Sequence, residues 1–257
     1  MFLFDFFKKK DFKKVLSLDG GGVRALAAVI FLKQLEKETG RSVFDTFDFF
    51  MGVSAGGLNA LHFTINKTSA EKLEDFWTND NLAMSMQKSF WGQAIFLNSK
   101  PKYNNESRTA LLRDYFENKL IAHSDKPVSV LAYDVEKRKP RLISSYDDSN
   151  ISVISAINAT SAAPLYYPTV KIEDGSWLID GGVVANNPSL IGYNEARNYF
   201  KTSNIKVFSI GTGINSKGLD GKSSAEWGPI GWLRNDILGI LSETQYDHET
   251  LSDLLKD

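Results

Sequence analysis

Apolar residues along the chain follow two patterns: short runs typical of buried strands, and longer stretches in which they recur every three or four positions. The predicted strands are the run that ends at Leu18 and residues 47–52, 128–135, 141–146, 177–179 and 206–210. The predicted helices are residues 25–38, 58–65, 69–77, 108–120, 151–161 and 188–200. Because strands and helices alternate, the pattern predicts an α/β fold with a largely parallel or mixed sheet and helices on both faces.

The composition excludes several classes of protein. With 257 residues and 42% hydrophobic content, the chain can form one large core, and we expect a single domain over residues 1–257. The formal net charge of -1 gives no electrostatic support for a nucleic-acid partner. The absence of cysteine excludes disulfides, thiolate metal sites and a cysteine nucleophile. No apolar stretch approaches the roughly 20 residues of a membrane span and no secretory signal is evident, so we expect a protein that is cytoplasmic or peripheral on a membrane.

Two glycine-rich turns follow the first two predicted strands. The first reads Asp-Gly-Gly-Gly-Val-Arg at 19–24, and the second reads Gly-Val-Ser-Ala-Gly at 52–56. A Gly-x-Ser-x-Gly run between a strand and a helix needs small neighbours, because the serine backbone is strained and its hydroxyl must stand clear of the sheet. The second turn therefore makes Ser54 a candidate nucleophile.

A nucleophilic serine needs a base, and histidine is the usual one. His62 lies eight residues beyond Ser54 on the same predicted helix, about 12 Å along its axis and out of reach. His123 lies in a polar stretch typical of a solvated loop, and His248 lies among charges near the C-terminus. Neither has a motif around it, although the sequence does not place them in space.

Asp180 is the better candidate for the base, because it ends a predicted strand and precedes two glycines that allow close approach. A carboxylate with an ordinary pKa of about 4 is a weak base toward a serine hydroxyl. The pairing therefore requires that burial raises the pKa of Asp180 or that proton transfer is concerted. Taken alone, Asp180 and its glycines also fit an ordinary turn.

The first glycine turn offers hydrogen-bond donors. Attack on an ester builds negative charge on the carbonyl oxygen, and each preset backbone amide lowers that barrier by roughly 3 to 4 kcal/mol. The backbone of Gly20, Gly21 and Gly22 could supply such donors. Arg24 could orient the loop or meet a phosphate, or it could be an ordinary surface charge.

The same loop has a second interpretation as a nucleotide-binding turn. Gly20-x-Gly22-x-x-Ala25 satisfies the loose dinucleotide fingerprint, and Glu36 or Glu38 could serve as the later acid. This interpretation explains neither the serine turn nor the aspartate turn.

Four blocks, in the same order, resemble the patatin-like phospholipases. They are the 19–24 turn, Gly-Val-Ser-Ala-Gly-Gly at 52–57, Thr-Ser-Ala-Ala-Pro-Leu-Tyr-Tyr-Pro at 160–168, and Asp-Gly-Gly-Val-Val-Ala-Asn-Asn-Pro at 180–188. A fifth, Ser-Ile-Gly-Thr-Gly at 209–213, agrees with a later strand of that fold. Together the blocks span about residues 14–213. One departure is Ala25, where many members have glycine.

The resemblance implies a three-layer α/β/α sandwich with a mostly parallel central sheet and a Ser-Asp dyad. It implies hydrolysis of acyl esters of phospholipids or other lipids without metal, cofactor or histidine, and with a membrane surface as partner. By position, it implies Ser54 as nucleophile and Asp180 as base. The implied oxyanion hole is the backbone of Gly20, Gly21 and Gly22, with Arg24 beside it.

Alternatives to hydrolysis stay open at this point. The same dyad could serve an acyltransferase or a lysophospholipase, and the chain could be a catalytically inactive module that binds nucleotide or lipid. The preferred acyl position and headgroup, any gating of activity and the oligomeric state are not marked in the sequence.

Several segments have two interpretations each. Residues 1–13 could anchor the protein in a lipid interface or pack as a peg on its own core. Residues 78–105 could form a lid or acyl-binding wall, or an irregular packed excursion. Residues 227–241 could dock on lipid or cover the sheet edge. We expect residues 214–257 to form a C-terminal helical part. The last predicted helix is unfinished at Asp257, so a further C-terminal portion is an open alternative.

Overall fold

The fold is a seven-stranded mixed sheet with helices on both sides, seen in a computed structural model that describes residues 12–88, 101–213, 218–228, 231 and 239–240. The strands are β1 (Lys13–Leu18), β2 (Phe49–Val53), β3 (Val128–Asp134), β4 (Lys139–Ser144), β5 (Val170–Lys171), β6 (Trp177–Asp180) and β7 (Ile205–Ile210). The helices are α1 (Leu26–Thr39), α2 (Val43–Thr46), α3 (Ala55–Ile65), α4 (Ala70–Glu74), α5 (Asn79–Ser85), α6 (Glu106–Phe116), α7 (Val153–Thr160), α8 (Ser189–Phe200) and α9 (Gly221–Ser224). The predicted α/β class is confirmed.

The sheet combines a parallel part with an antiparallel part. Strands β7, β1, β2 and β3 lie side by side and are parallel. Strand β4 pairs antiparallel with residues 129–134 of β3 and occupies one edge of that strand. The other edge is shared, because β2 pairs with residues 128–131 and β6 pairs antiparallel with residues 132–134. Strands β2 and β6 therefore run toward each other, and their carboxyl ends meet on β3.

Each face of the sheet has its own apolar core. Leu16 and Phe50 belong to the larger core, which lies under α1, α3, α6 and α7. Their neighbours in sequence, Val15, Phe49 and Met51, belong to the second core, with Ala196 of α8. This alternation follows from the two-residue period of a strand, and it explains why central strands of a three-layer fold are apolar on both faces.

Side-chain caps account for several helix starts. The hydroxyls of Ser42, Ser69, Thr78 and Ser152 each accept a hydrogen bond from the backbone amide three residues later. Such a bond satisfies one of the amides that a first helical turn leaves unpaired. The predicted cap at Ser69 is confirmed by its bond from the Lys72 amide, 3.3 Å long.

Three elements differ from the sequence expectation. Strand β5, with two residues, and helix α2, with four, were not predicted. Helix α5 lies in the segment expected to be irregular, and Thr78 caps it. Residues 1–11 and 89–100 lie outside the described residues, as does most of 227–241, so both interpretations of those segments stay untested. Within the described part of the chain, no helix is long and apolar enough to cross a membrane.

Candidate active site

Ser54 sits in a strained turn at the centre of the sheet. It directly follows β2 and precedes α3, with φ 54° and ψ -128°, a conformation that costs a non-glycine residue free energy. The Ser54 amide donates to Oγ1 of Thr160 over 3.0 Å, and that hydroxyl donates in turn to the carbonyl of Leu131. Strand β3 and the end of α7 thus hold the serine in place.

Asp180 meets Ser54 at the junction of β2 and β6. The Ser54 hydroxyl donates to Oδ2 of Asp180 over 2.7 Å, and the amide of Gly182 donates to Oδ1 over 2.7 Å. The two residues are 126 positions apart in the chain. They meet because Asp180 is the last residue of β6 and Ser54 follows the last residue of β2, and β3 brings those two ends together.

The surroundings of Asp180 change its acidity. Burial raises the pKa of Asp180 from 3.8 to about 6, because the ionised form loses hydration. Hydrogen bonds from Gly182 and Ser54 and the positive charge of Arg108 lower this pKa in part. The carboxylate is therefore mostly ionised at neutral pH yet more basic than an ordinary aspartate, as the pairing with serine requires.

The glycine turn after β1 lies beside this pair. The Gly20 amide donates to the carbonyl of Asn186 over 3.0 Å. The Gly20 carbonyl accepts from Oγ1 of Thr212 at 2.9 Å and from the Asn186 side chain at 3.3 Å. A Cβ on Gly21 would lie 2.2 Å from Oγ1 of Thr212, so only glycine permits this approach. Gly20 therefore fixes the turn, and its amide is already used, contrary to the expectation that all three glycine amides face a reacting oxygen.

Gly21, Gly22 and Arg24 lie on the cavity side of the turn. Among the described residues, no acceptor pairs with the amide of Gly21 or Gly22. The Arg24 amide donates to the carbonyl of Gly21 over 3.1 Å and so closes the turn. Its exposed side chain lines the cavity mouth. Two of the three glycine amides are thus unpaired within the described part of the chain, and both glycines line the cavity that Ser54 also lines.

A cavity of about 780 Å³ opens onto Ser54 and Asp180, and its wall is mainly apolar. Apolar and aromatic residues form most of this wall: Leu58, Phe76, Trp77, Leu82, Met86, Leu111, Leu112, Tyr103, Tyr166, Tyr167 and Val183. Such a volume and lining suit a flexible apolar ligand. Part of the segment expected to be a wall or lid, from α5 to Met86, does line the cavity.

None of the described histidines lines the cavity. His62 belongs to α3, and its side chain is buried. The centroid of its ring lies 5.0, 5.5 and 4.5 Å from the ring centroids of Phe76, Tyr115 and Phe116. His123 lies in an exposed turn, where its Nδ1 accepts from the Leu120 amide over 3.2 Å. The helix from Ala55 to Ile65 is continuous, so the prediction that His62 cannot reach Ser54 is confirmed. His248 lies outside the described residues.

The burial of His62 predicts a pH-dependent stability. Burial lowers the pKa of His62 from 6.5 to about 3. Between these values the unfolded chain binds a proton at His62 that the folded chain does not, so the contribution of His62 to stability falls as the pH falls, by about 1.4 kcal/mol per pH unit. In denaturant titrations, we therefore expect the stability of His62→Leu relative to wild type to rise as the pH falls from 6 to 4. Phe116→Leu, in the same cluster, should lower stability equally at each pH; parallel curves for wild type and His62→Leu would contradict the prediction.

The acids required by the nucleotide interpretation have other roles. Oε1 of Glu36 accepts from the amide of Val43 and Oε2 accepts from the amide of Ala70, each over 2.8 Å. Glu38 accepts from Gln34 over 2.8 Å. Glu36 therefore ties α1 to the starts of α2 and α4, and neither acid lies on the cavity wall.

Sequence reasoning missed four residues that support the site. Thr160, Asn186 and Thr212 lie inside blocks that the sequence singled out, and hydroxyl or amide side chains beside glycine turns were a usable signal. Arg108 belongs to no block and was seen only as the start of a predicted helix. It is buried in the cavity wall, where burial lowers its pKa and Tyr167 and Asp180 raise it.

Comparisons with known proteins agree on one family. The sequence model of the Patatin family, described as patatin-like phospholipase, matches residues 16–191. Patatin-like protein 2 of Arabidopsis thaliana is 30% identical over 281 residues, covering 91% of this chain and 69% of that protein. A cGAMP-activated phospholipase of Vibrio cholerae serotype O1 is 28% identical over 271 residues, covering 93% of this chain and 76% of that protein. The chain belongs to the patatin-like phospholipase family.

Solved structures that resemble this chain include a more distant one. VipD from Legionella pneumophila is 14% identical with a TM-score of 0.42, over 68% of this chain and 47% of the VipD chain. This chain therefore spans about half the length of VipD.

Proposed function

We propose that this protein is a lipid acyl hydrolase with Ser54 as nucleophile and Asp180 as base. The observation that carries the proposal is the 2.7 Å hydrogen bond from the Ser54 hydroxyl to a buried carboxylate. This pair opens onto a cavity of about 780 Å³ with a mainly apolar wall. A strained serine, a base of raised pKa and an apolar cavity together support ester hydrolysis on lipids.

Acylation begins when Oγ of Ser54 attacks the ester carbonyl carbon and its proton passes to Oδ2 of Asp180. The C–O bond to the leaving alcohol then breaks, and the alcohol oxygen takes the proton from Asp180. The product of this half-reaction is an acyl ester on Ser54.

Deacylation repeats these steps with water. Asp180 takes a proton from a water molecule, whose oxygen attacks the acyl carbon and displaces Oγ of Ser54. The proton returns to Ser54, and the fatty acid leaves. A single carboxylate therefore serves both halves.

The amides of Gly21 and Gly22 are the donors that we assign to the developing oxyanion. Both lie on the cavity side of the turn, while Gly20 anchors it through Asn186 and Thr212. Each donor is worth roughly 3 kcal/mol of barrier. Arg24, which closes the turn through its own amide, presents a cation at the mouth where a lipid phosphate would lie.

Other uses of the same dyad differ in the acceptor. An acyltransferase would pass the acyl group from Ser54 to an alcohol instead of water, and a lysophospholipase would take a single-chain substrate. A catalytically inactive lipid-binding module would keep the cavity without forming the acyl ester. These functions are distinguished by products.

The test is covalent labelling of the full chain with a fluorophosphonate, read as adduct mass and site, beside fatty-acid release from mixed phospholipid vesicles. We expect one adduct, on Ser54, together with fatty-acid release that the label abolishes. Because a relative is named a cGAMP-activated phospholipase, each assay is run with and without cGAMP. Folded protein that takes no label and releases nothing in either condition would refute the proposal.

A further inference from the structure

Arg108 is a buried cation whose donors are all taken by neutral oxygens. Its side chain belongs to α6, and the residue is 6% exposed. Nε donates to Oδ1 of Asn158 at 2.9 Å; Nη1 donates to the Ser161 carbonyl and hydroxyl at 3.1 and 3.2 Å. Nη2 donates to Oδ1 of Asn105 at 3.0 Å and to the Asn158 carbonyl at 3.3 Å. A guanidinium has five N–H groups, so these five bonds leave none for a substrate.

Within the described part of the chain, no carboxylate forms a salt bridge with Arg108. Its guanidinium carbon lies 4.0 Å from the ring centroid of Tyr167, whose hydroxyl donates to the carbonyl of Ser85 over 3.0 Å. Burying a cation without a counter-ion costs several kcal/mol.

Asp180 is joined to the segment that holds Arg108. Its amide donates to the carbonyl of Ala162 over 3.0 Å, and Ala162 directly follows Ser161, which accepts from Nη1 of Arg108. Both side chains line the same cavity.

From the elements packed around it, Asp180 receives hydrogen bonds from Ser54 and Gly182, and the charge that lowers its pKa comes from Arg108. Burial keeps the phenol of Tyr167 neutral by raising its pKa, and Arg24 lies exposed at the cavity mouth. Among the described residues that line the cavity, Arg108 is thus the buried cation.

We propose that Arg108 is a positioning residue that supplies the counter-charge for ionised Asp180 without touching substrate. The inference rests on the proposed function of the dyad. Its five hydrogen bonds fix the guanidinium between the start of α6 and the C-terminal end of α7. The carboxylate can then stay ionised at neutral pH in a buried site, ready to accept the serine proton.

Two variants test the charge itself. Arg108→Gln removes it, and Asn158→Asp keeps the arginine but places an anion against its Nε. Both should move the acidic limb of the kcat/KM profile on a neutral ester to higher pH by about one unit. Arg108→Lys, which keeps a cation, should restore the limb toward its wild-type position.

A matched control separates charge from packing. Ser161→Ala removes one acceptor from Nη1 and leaves the charge unchanged, so its limb should stay at the wild-type pH. If Arg108→Gln and Ser161→Ala lower activity equally at each pH with the limb unmoved, the role is structural and the proposal is overturned. A rise in KM for phospholipid but not for the neutral ester would show direct substrate binding and would also overturn it.

A second readout does not need turnover. The ¹³C NMR signal of the Asp180 carboxyl carbon is assigned by its absence in Asp180→Asn. Its chemical shift is then followed against pH in wild type, Arg108→Gln and Asn158→Asp. We expect the midpoint to rise by about one pH unit in both variants. Absence of hydrolysis with this shift present would count against the hydrolase function alone, whereas an unshifted titration would refute the role of Arg108.

Discussion

Replacing Asp180 with asparagine is expected to lower kcat for ester hydrolysis by at least about 10³-fold, as loss of a general base does. The asparagine side chain keeps the shape and can accept from the Gly182 amide, but it cannot take the serine proton. Ser54→Ala should be at least as severe, and the double variant should lose no more than Ser54→Ala. Michaelis–Menten kinetics on a soluble ester measure all three. Losses that multiply in the double variant would mean that the two residues do not act as one unit.

The same change should make the folded protein more stable at neutral pH. The folded pKa of Asp180 is raised from 3.8 to about 6, so the folded chain binds more protons than the unfolded chain in this window. The contribution of Asp180 to stability therefore falls as the pH rises from 3.8 to 6, by up to about 3 kcal/mol. Asparagine removes this loss, and we expect Asp180→Asn to gain about 1 to 3 kcal/mol at pH 7.

A buried aspartate elsewhere provides the matched control. Asp134 accepts from the amides of Lys137 and Glu136, and these bonds hold its pKa below the ordinary value. Asp134→Asn should therefore lose stability at pH 7 and keep activity. Urea titrations from pH 4 to 8 measure both variants. A stability difference between Asp180→Asn and wild type that does not change with pH would contradict the expectation.

Alanine at Gly56 is expected to cost about 2 to 4 kcal/mol of stability and to lower kcat/KM by more than tenfold. A Cβ there would lie 2.3 Å from the Leu18 carbonyl oxygen and 2.5 Å from that of Asp19, and both are backbone atoms. Alanine favours a helix by about 1 kcal/mol over glycine, which is less than the cost of this overlap. The start of α3 must move away from the end of β1, which separates Ser54 from the glycine turn.

Gly218→Ala is the control for this substitution, because no atom of the described residues lies within 4 Å of a Cβ at that position. Thermal unfolding and esterase kinetics of both variants check the expectation. Unchanged stability in Gly56→Ala would show that the helix and the strand are not in close contact in solution.

The local parts of the site could be predicted from the sequence. The strain at Ser54 follows from its position between glycines at a strand-to-helix turn. The need for a raised pKa at Asp180 follows from ordinary acid strength. Both predictions rest on short motifs, whose geometry depends on a few neighbouring residues.

The long-range parts could not be predicted. The sequence does not show that β2 and β6 share one edge of β3, because no local pattern encodes the order of strands. For the same reason, the sequence does not show that the Asn186 carbonyl accepts a hydrogen bond from the Gly20 amide. Arg108 was missed because a buried arginine on an amphipathic helix has the same sequence signal as an exposed one.

The end-to-end placement of β2 and β6 makes the spacing of the proposed catalytic pair, Ser54 and Asp180, depend on strand register. Each of the two strands pairs with its own part of β3. The register of these two pairings therefore sets the distance between the end of β2 and the end of β6. One residue inserted into β6 would displace its end by about 3.3 Å and turn its last side chain to the opposite face of the sheet. Substitutions in the loops around the pair can therefore leave the Ser54–Asp180 spacing unchanged, whereas a change in the length of either short strand alters it.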